Sequence, residues 1–418
     1  MNPTIVLVSF CAAMAAGAAT GSAAAEAPLP PGVPAVYSLS GPSLKAARDR
    51  FVRGDPSLAP AFARLGAEAR QALEFKPVSV MDKARLPPSG DKHDYISQAP
   101  YFWPNPSKPG GLPYIRHDGK HNPESDSGTD ARVWATMAGE AETLALAYYF
   151  THDEKFADHS ARLIRAWFIN PATRMNPNLE FAQFVPGVNN GRGTGILEMR
   201  HLAKICDSIA LMAGSPAWTP DDDHAYRAWA ARYLVWLTKS KNGREEAAAR
   251  NNHGSWYDVQ AVHLALFLGQ NGLARQRLSV AMDRMDHQIE PDGSQPLELA
   301  RTKSLGYSLF NAQALFALAI LGDHSAVDFY GHRSATGAGL RTALGFLAPY
   351  ADPAKPWIKP DLEAGDRTQL FPLFAQYLWR AGDDPQFREL LEKFGNGEKE
   401  RGARWRLFLV PATVAPIP

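Results

Sequence analysis

Cysteine is almost missing: the 418 residues contain Cys11 and Cys206 and no others. Cys11 falls in the N-terminal leader described below, so removal of that leader leaves one thiol. An exported chain with one thiol has no internal disulfide and must be held by a large packed core. Cys206, in HLAKICDSIALMAG, reads as a small buried hydrophobe of a helix. Excess charge is also missing: the formal net charge is +1, so no global basic field advertises nucleic acid. Metal and nucleophile signatures do not occur. There is no H-E-x-x-H, no paired C-x-x-C and no G-x-S-x-G elbow. His93-Asp94 and His117-Asp118 match no ligand motif, and no glycine-rich strand-to-helix turn suits a dinucleotide. The expectation is a protein without metal or cofactor.

What is present begins with MNPTIVLVSFCAAMAAGAATGSAAAEAPLP. An apolar run from Ile5 gives way to small residues, and Ala23-Ala24-Ala25 forms an A-x-A-like cleavage site before Glu26. Residues 1–25 are therefore expected to be a signal peptide, and the mature protein to be periplasmic or secreted. Ala and Gly dilute the run too much for a membrane anchor.

Beyond the leader, Leu44 to Phe75 has a charge-laced helical pattern. Periodicity then vanishes from Val78 to about Ser127, a stretch dense in Pro, Gly, Asn and aromatics. A loop of that length in a compact domain is commonly functional, and Tyr101 and Trp103 are its candidate sugar-contacting walls. From Ala131 onward, apolar residues recur at three- and four-residue spacing between Gly, Pro, Asn and Asp breaks. The helical windows include Gly195–Met212, Ser255–Gly269 and Arg301–Leu321. The pattern predicts one all-α domain of stacked helical hairpins over residues 26–418.

Three polar islands interrupt the helices. In GVNNGRGTGILEMR, Asn190 and Arg192 sit among glycines that permit tight turns or close ligand approach, and Arg192 is suited to a carboxylate. In NNHGSWYDVQ, Asn251 or Asn252 suits a helix cap, while His253 and Tyr257 share a face at i, i+4. In ELARTKSLGYSLFN, Arg301 and Tyr307 border an apolar helix; if the helix starts early enough they lie about nine ångströms apart along it. Glu180, Glu198 and Glu298 are available as paired glycosidase carboxylates, though sequence supplies no separation between them.

Four stretches in order carry a family resemblance: KHDYISQAPYFWPNPSKPGGLPYIRHDGKHNPE, GVNNGRGTGILE, NNHGSWYDVQ and ELARTKSLGYSLFN. The chain resembles the alginate-lyase superfamily of polysaccharide lyases, in its alginate and glucuronan branch. That resemblance implies an incomplete (α/α) toroid around a cleft, and β-elimination on an anionic polyuronate without cofactor. It implies that Asn252 and Arg301 surround the substrate carboxylate and that His253 and Tyr307 transfer protons. Asn190, Arg192 and Asn251 would supplement recognition, with Tyr257 a second tyrosine near the sugar. A glycoside hydrolase and a periplasmic glycan-binding protein are the alternative readings. Paired carboxylates across a scissile bond would mark the first, and a cleft without proton-transfer geometry the second.

Overall fold

The computed structural model describes residues 31–409. The leader read at residues 1–25 lies outside the described residues. The helices are α1 Gly41–Val52, α2 Ala59–Ala72, α3 Ala131–Thr151, α4 Glu154–Ile164 and α5 Leu202–Leu211. They continue as α6 Pro220–Lys239, α7 Lys241–Ala247, α8 Asn252–Phe267, α9 Asn271–Asp286 and α10 Pro296–Leu299. The last are α11 Ser304–Asp323, α12 Leu340–Leu347, α13 Leu370–Ala381, α14 Pro385–Phe394 and α15 Glu398–Arg401. All belong to a compact unit that begins at Gly32.

Helix ends follow local chemistry. Ser40 caps α1 through its hydroxyl, and Thr219 with Asp222 forms a capping box around Pro220 at the start of α6. The window Leu44–Phe75 is two helices, because Gly54 turns with φ 74° and Asp55-Pro56 starts a new element. Packing is by hairpins: α3 lies against α4 and α5, and α8 against α9 and α11. This is the (α/α) toroid-like arrangement expected from the sequence.

Two helices are central. α8 touches α5, α6, α7, α9 and α11, while α11 touches α8, α9, α10, α12 and α13. Both are therefore buried along most of their length and largely apolar, and the buried polar groups they carry are paired, as Asp258 is with Arg277 and Arg284. A spine of rings fills the neighbouring core: Phe168 meets Trp229 edge-on at 4.5 Å, and Trp229 stacks on Tyr233 at 5.4 Å. Indole N–H groups in this core find carbonyls, Trp229 on Met175 and Trp134 on Glu198.

The aperiodic stretch is stitched to the helices by short strands. β1 Ile96–Gln98 pairs in parallel with β4 Phe181–Phe184, and β2 Phe102–Trp103 pairs antiparallel with β3 Ile115–Arg116. Its root is an ion pair: Lys83 Nζ lies 3.0 Å from Asp130, with both side chains shut away from solvent. Asp130 also accepts from the Ile96 N–H, and Lys83 donates to the Val80 and Lys92 carbonyls. Burial raises the Asp130 carboxyl to about 6 even though Lys83 opposes the shift.

Removing one partner of such a pair leaves an uncompensated buried charge, which costs about 3–5 kcal/mol. Lys83→Met is therefore expected to lower stability by roughly that amount in urea unfolding near neutral pH. Without the cation, the Asp130 carboxyl should titrate higher still in the folded state. A carboxyl raised on folding contributes fully below its unfolded value and loses that contribution as pH climbs through the folded one. The variant's deficit should therefore be smaller at pH about 4.5 than at about 8. Equal deficits at both would refute this account.

Candidate active site

The first turns of the two central helices carry the predicted residues. Asn251 caps α8, its amide oxygen accepting from the His253 N–H. Asn252 follows as the first helical residue, fully buried. Its backbone N–H and its side-chain NH₂ both donate to Glu298, at 2.7 and 2.6 Å. Burial pushes the Glu298 carboxyl up, and the two Asn252 donors pull against that shift. The His253 ring projects the other way and places Nδ1 2.6 Å from the carboxylate of Glu246, a residue 2% exposed on α7. A carboxylate only accepts, so Nδ1 carries a proton, and in the neutral ring Nε2 is then the nitrogen with the free lone pair. Gly254 is required beside them: a β-carbon there would sit 2.0 Å from the Ala249 carbonyl oxygen.

Arg301 and Tyr307 meet directly, although not along one helix. α11 starts at Ser304, because Asp361 accepts from the Ser304 hydroxyl and the Leu305 N–H and so caps the first turn. Arg301 lies in the preceding turn and folds back over the tyrosine. Its guanidinium stands 3.7 Å from the ring centroid and donates to the hydroxyl at 2.6 Å. The nine-ångström separation of a continuous helix is thus replaced by contact. Tyr307 donates in turn to the Tyr101 hydroxyl at 3.1 Å. Burial, and then Tyr101, push the Tyr307 hydroxyl well above the usual tyrosine range, so it holds its proton.

Asp118 locks the loop to this pair. Its carboxylate accepts from Arg301 Nε and from a terminal Arg301 nitrogen, and also from the Thr302 N–H. Burial works to raise Asp118, but the Arg301 hydrogen bonds and charge hold it at about 2. Trp103, on β2, donates its indole N–H to the Lys120 carbonyl.

The island at residues 189–195 lies along β4. A β-carbon on Gly191 would fall 1.9 Å from the Glu180 carbonyl oxygen, so glycine is what lets the two backbones touch. Arg192 donates to Gln183 at 2.7 Å and lies over the Phe102 ring at 5.0 Å. Gln183 is held in the left-handed region at φ 51°, an uncommon conformation for a non-glycine residue. Asn190 is exposed at the head of this island.

Tyr257 is not brought to this cluster. Its hydroxyl donates to the Leu237 carbonyl, and its ring lines a separate groove of about 410 Å³ with Arg277 and Leu273. Its place one turn beyond His253 on α8 is as expected, but the ring is buried and its hydroxyl is taken by that carbonyl. Two residues were missed by sequence reasoning, Glu246 and Asp118. Glu246 sits in KNGREEAAAR, which gave no periodic link to His253; Asp118 was set aside for lack of a metal motif. The three carboxylates considered for hydrolysis are engaged separately: Glu298 by Asn252, Glu198 by Tyr95, and Glu180 by Trp236.

Helical hairpins with a polar cluster at the mouths of the central helices form the architecture of toroid-type polysaccharide lyases. The Alginate lyase family profile matches residues 79–357, and the chain belongs to that family. Membership carries the reaction, β-elimination on a uronic-acid polymer. The crystal structure of an alginate lyase from Bacteroides ovatus is 35% identical, with TM-score 0.85 over 90% of this chain and 99% of that one. Alginate lyase A1-III from Sphingomonas species A1 shares the fold at 16% identity, with TM-score 0.53 over 91% of this chain and 99% of that one. No curated protein sequence matches.

Glu246→Gln should keep the fold and the volume but offer His253 an amide in place of an anion. The imidazole is then free to take either tautomer and loses charge stabilisation when protonated. Turnover is expected to fall roughly ten- to a hundredfold, by analogy with lost orienting partners of ligating histidines. Initial-rate kinetics together with thermal unfolding check this. Unchanged kcat in a folded variant would exclude the orienting role.

Proposed function

We propose that the cluster of Asn252, His253, Arg301 and Tyr307 is the elimination centre for a 1,4-linked polyuronate of the alginate or glucuronan kind. The observation that carries this reading is the opposite preparation of two proton-handling groups. His253 Nδ1 is held by Glu246, which leaves Nε2 as an acceptor, whereas Tyr307 retains its proton beside Arg301. His253 takes the proton from C5 of the uronate, and Tyr307 delivers one to the departing O4. The C4–O4 bond breaks, a C4–C5 double bond forms, and no water is consumed. Charge gathering on the carboxylate is met by hydrogen bonds from Asn252 and by the field of Arg301.

After O4 has taken its proton, the Tyr307 phenolate is left 2.6 Å from an Arg301 nitrogen, which offsets its charge. Tyr101 and Trp103 form an aromatic wall for the sugar chain, with Asn190 and Asn251 at its polar edge. This reading makes the leader at residues 1–25 an export signal, so that the enzyme meets its polymer in the periplasm or outside the cell. Cell fractionation of the tagged full-length chain tests that placement.

Tyr307→Phe retains the ring over which Arg301 lies and removes the hydroxyl. Its kcat should fall by at least about a hundredfold, the usual scale of lost general acid–base catalysis. The assay follows unsaturated uronate ends by ultraviolet absorbance on alginate and on β-glucuronan. Wild-type rates in this variant across the activity pH range would remove Tyr307 from the mechanism. Saturated reducing ends as the only products of the wild-type enzyme would reject elimination itself.

A further inference from the structure

Three guanidinium groups and one carboxylate line the run from β4 across the β2–β3 hairpin to the start of α11. Asp118 is that carboxylate, and it is shared between Arg301 at 2.8 Å and Arg116 at 2.5 Å. Arg192 receives no part of it. Among the described residues, the hydrogen-bond partner of its guanidinium is the neutral amide of Gln183, while Nε is buried and unsatisfied. The carboxylates that act on it from a distance, Glu246 and Glu198, are themselves engaged by His253 and Tyr95. Burial, and then the nearby Arg116, bring Arg192 down to about 10.

A largely buried cation without an anion, beside a second cation, is costly unless something compensates it. The Phe102 ring beneath the guanidinium gives only partial relief at 5.0 Å. Phe102 is also the register partner of Arg116 across the β2–β3 hairpin, and the Arg116 charge acts on Arg192. Gln183 is kept in its left-handed conformation while its side chain accepts from Arg192 and its backbone donates to Ser97. Strain spent on orienting a charged group is a mark of a binding position.

We propose that Arg192, with Arg116 behind it, is a carboxylate receptor for a second uronate unit of the polymer, distinct from the unit that undergoes elimination. The proposal rests on the polyuronate reading above. Arg301 already has its anion in Asp118 and serves Tyr307, whereas Arg192, among the described residues, has no carboxylate within ion-pairing distance. A neighbouring sugar carboxylate would complete it with charge-assisted hydrogen bonds. The enzyme would thus discriminate for chains charged on adjacent units.

The test compares wild type, Arg192→Gln and Arg192→Lys on uronan polymer and on the shortest oligosaccharide that is cleaved. Arg192→Gln should raise KM for the polymer roughly tenfold or more, the scale of one lost charged hydrogen bond, with kcat within about twofold. The effect should shrink on the shortest substrate, and Arg192→Lys should recover part of the loss. A fall in kcat at unchanged KM, or equal KM changes at every length, would overturn the proposal. Calorimetric binding of a uronate oligosaccharide and of its carboxyl-reduced analogue to Arg192→Gln and wild type supplies an arm independent of turnover. Wild type should prefer the charged ligand by a margin that shrinks in the variant; an unchanged margin refutes the receptor even if the elimination mechanism were wrong. Should Arg192→Gln fail to fold, Arg116→Gln, at a half-exposed position, is expected to give a smaller rise in KM of the same chain-length dependence. No rise there would count against the proposal.

Discussion

The burial of α8 and α11 on every side is the constraint from which the rest follows. A helix end carries N–H groups with no partner inside the helix, and these two ends lie in protein rather than in water. Each must therefore be met by groups brought from elsewhere in the chain. Glu298 meets Asn252 at the head of α8, and Asp361 meets Ser304 and Leu305 at the head of α11. The same need that stabilises the helices concentrates oriented polar groups at one place. A reactive site arises there because the heads of both helices bring such groups together, whereas a buried polar residue further along, such as Asp258, is committed to its own partners.

Charge in this site is arranged in pairs of unequal strength. Asp118 is held as an anion down to about pH 2, so its contribution is present above the ordinary carboxylate range and fades only as acid approaches that value. Across neutral pH the contact between loop and Arg301 is consequently fixed. Glu298 is pushed in the opposite direction by burial, and its two donors from Asn252 limit the shift. Two carboxyls that touch neighbouring residues of one cluster thus receive opposite treatment from burial and pairing, as the division of labour around a developing carboxylate charge requires.

Much of this is legible in the sequence. The asparagine–histidine island exceeds what a helix cap needs, and Asn252 gives its backbone N–H and a side-chain N–H to Glu298 while Asn251 does the capping. The hairpin pattern and the aperiodic loop followed from period and composition. The fate of Tyr257 is not legible, since four-residue spacing gives a shared helix face but not that the Leu237 carbonyl on α6 takes its hydroxyl. The start of α11 escaped because Asp361 sets it from 57 residues away, beyond any local signal. Glu246 escaped for a similar reason: a break between α7 and α8 separates it from His253. Long-range partners of polar groups are the part of a site that one-dimensional periodicity does not encode.

The Tyr101–Tyr307 hydrogen bond joins residues 206 apart, and Asp118 reaches Arg301 across 183. Contacts of such sequence separation are late to form, because loop-closure entropy must be overcome before they contribute. Helical hairpins such as α3 with α4 are local and can assemble early. During refolding, recovery of helical content should therefore run ahead of recovery of the assembled cleft. A newly made chain would then pass through a helical but inert stage, and its chemistry would switch on only when the last, longest-range contacts close.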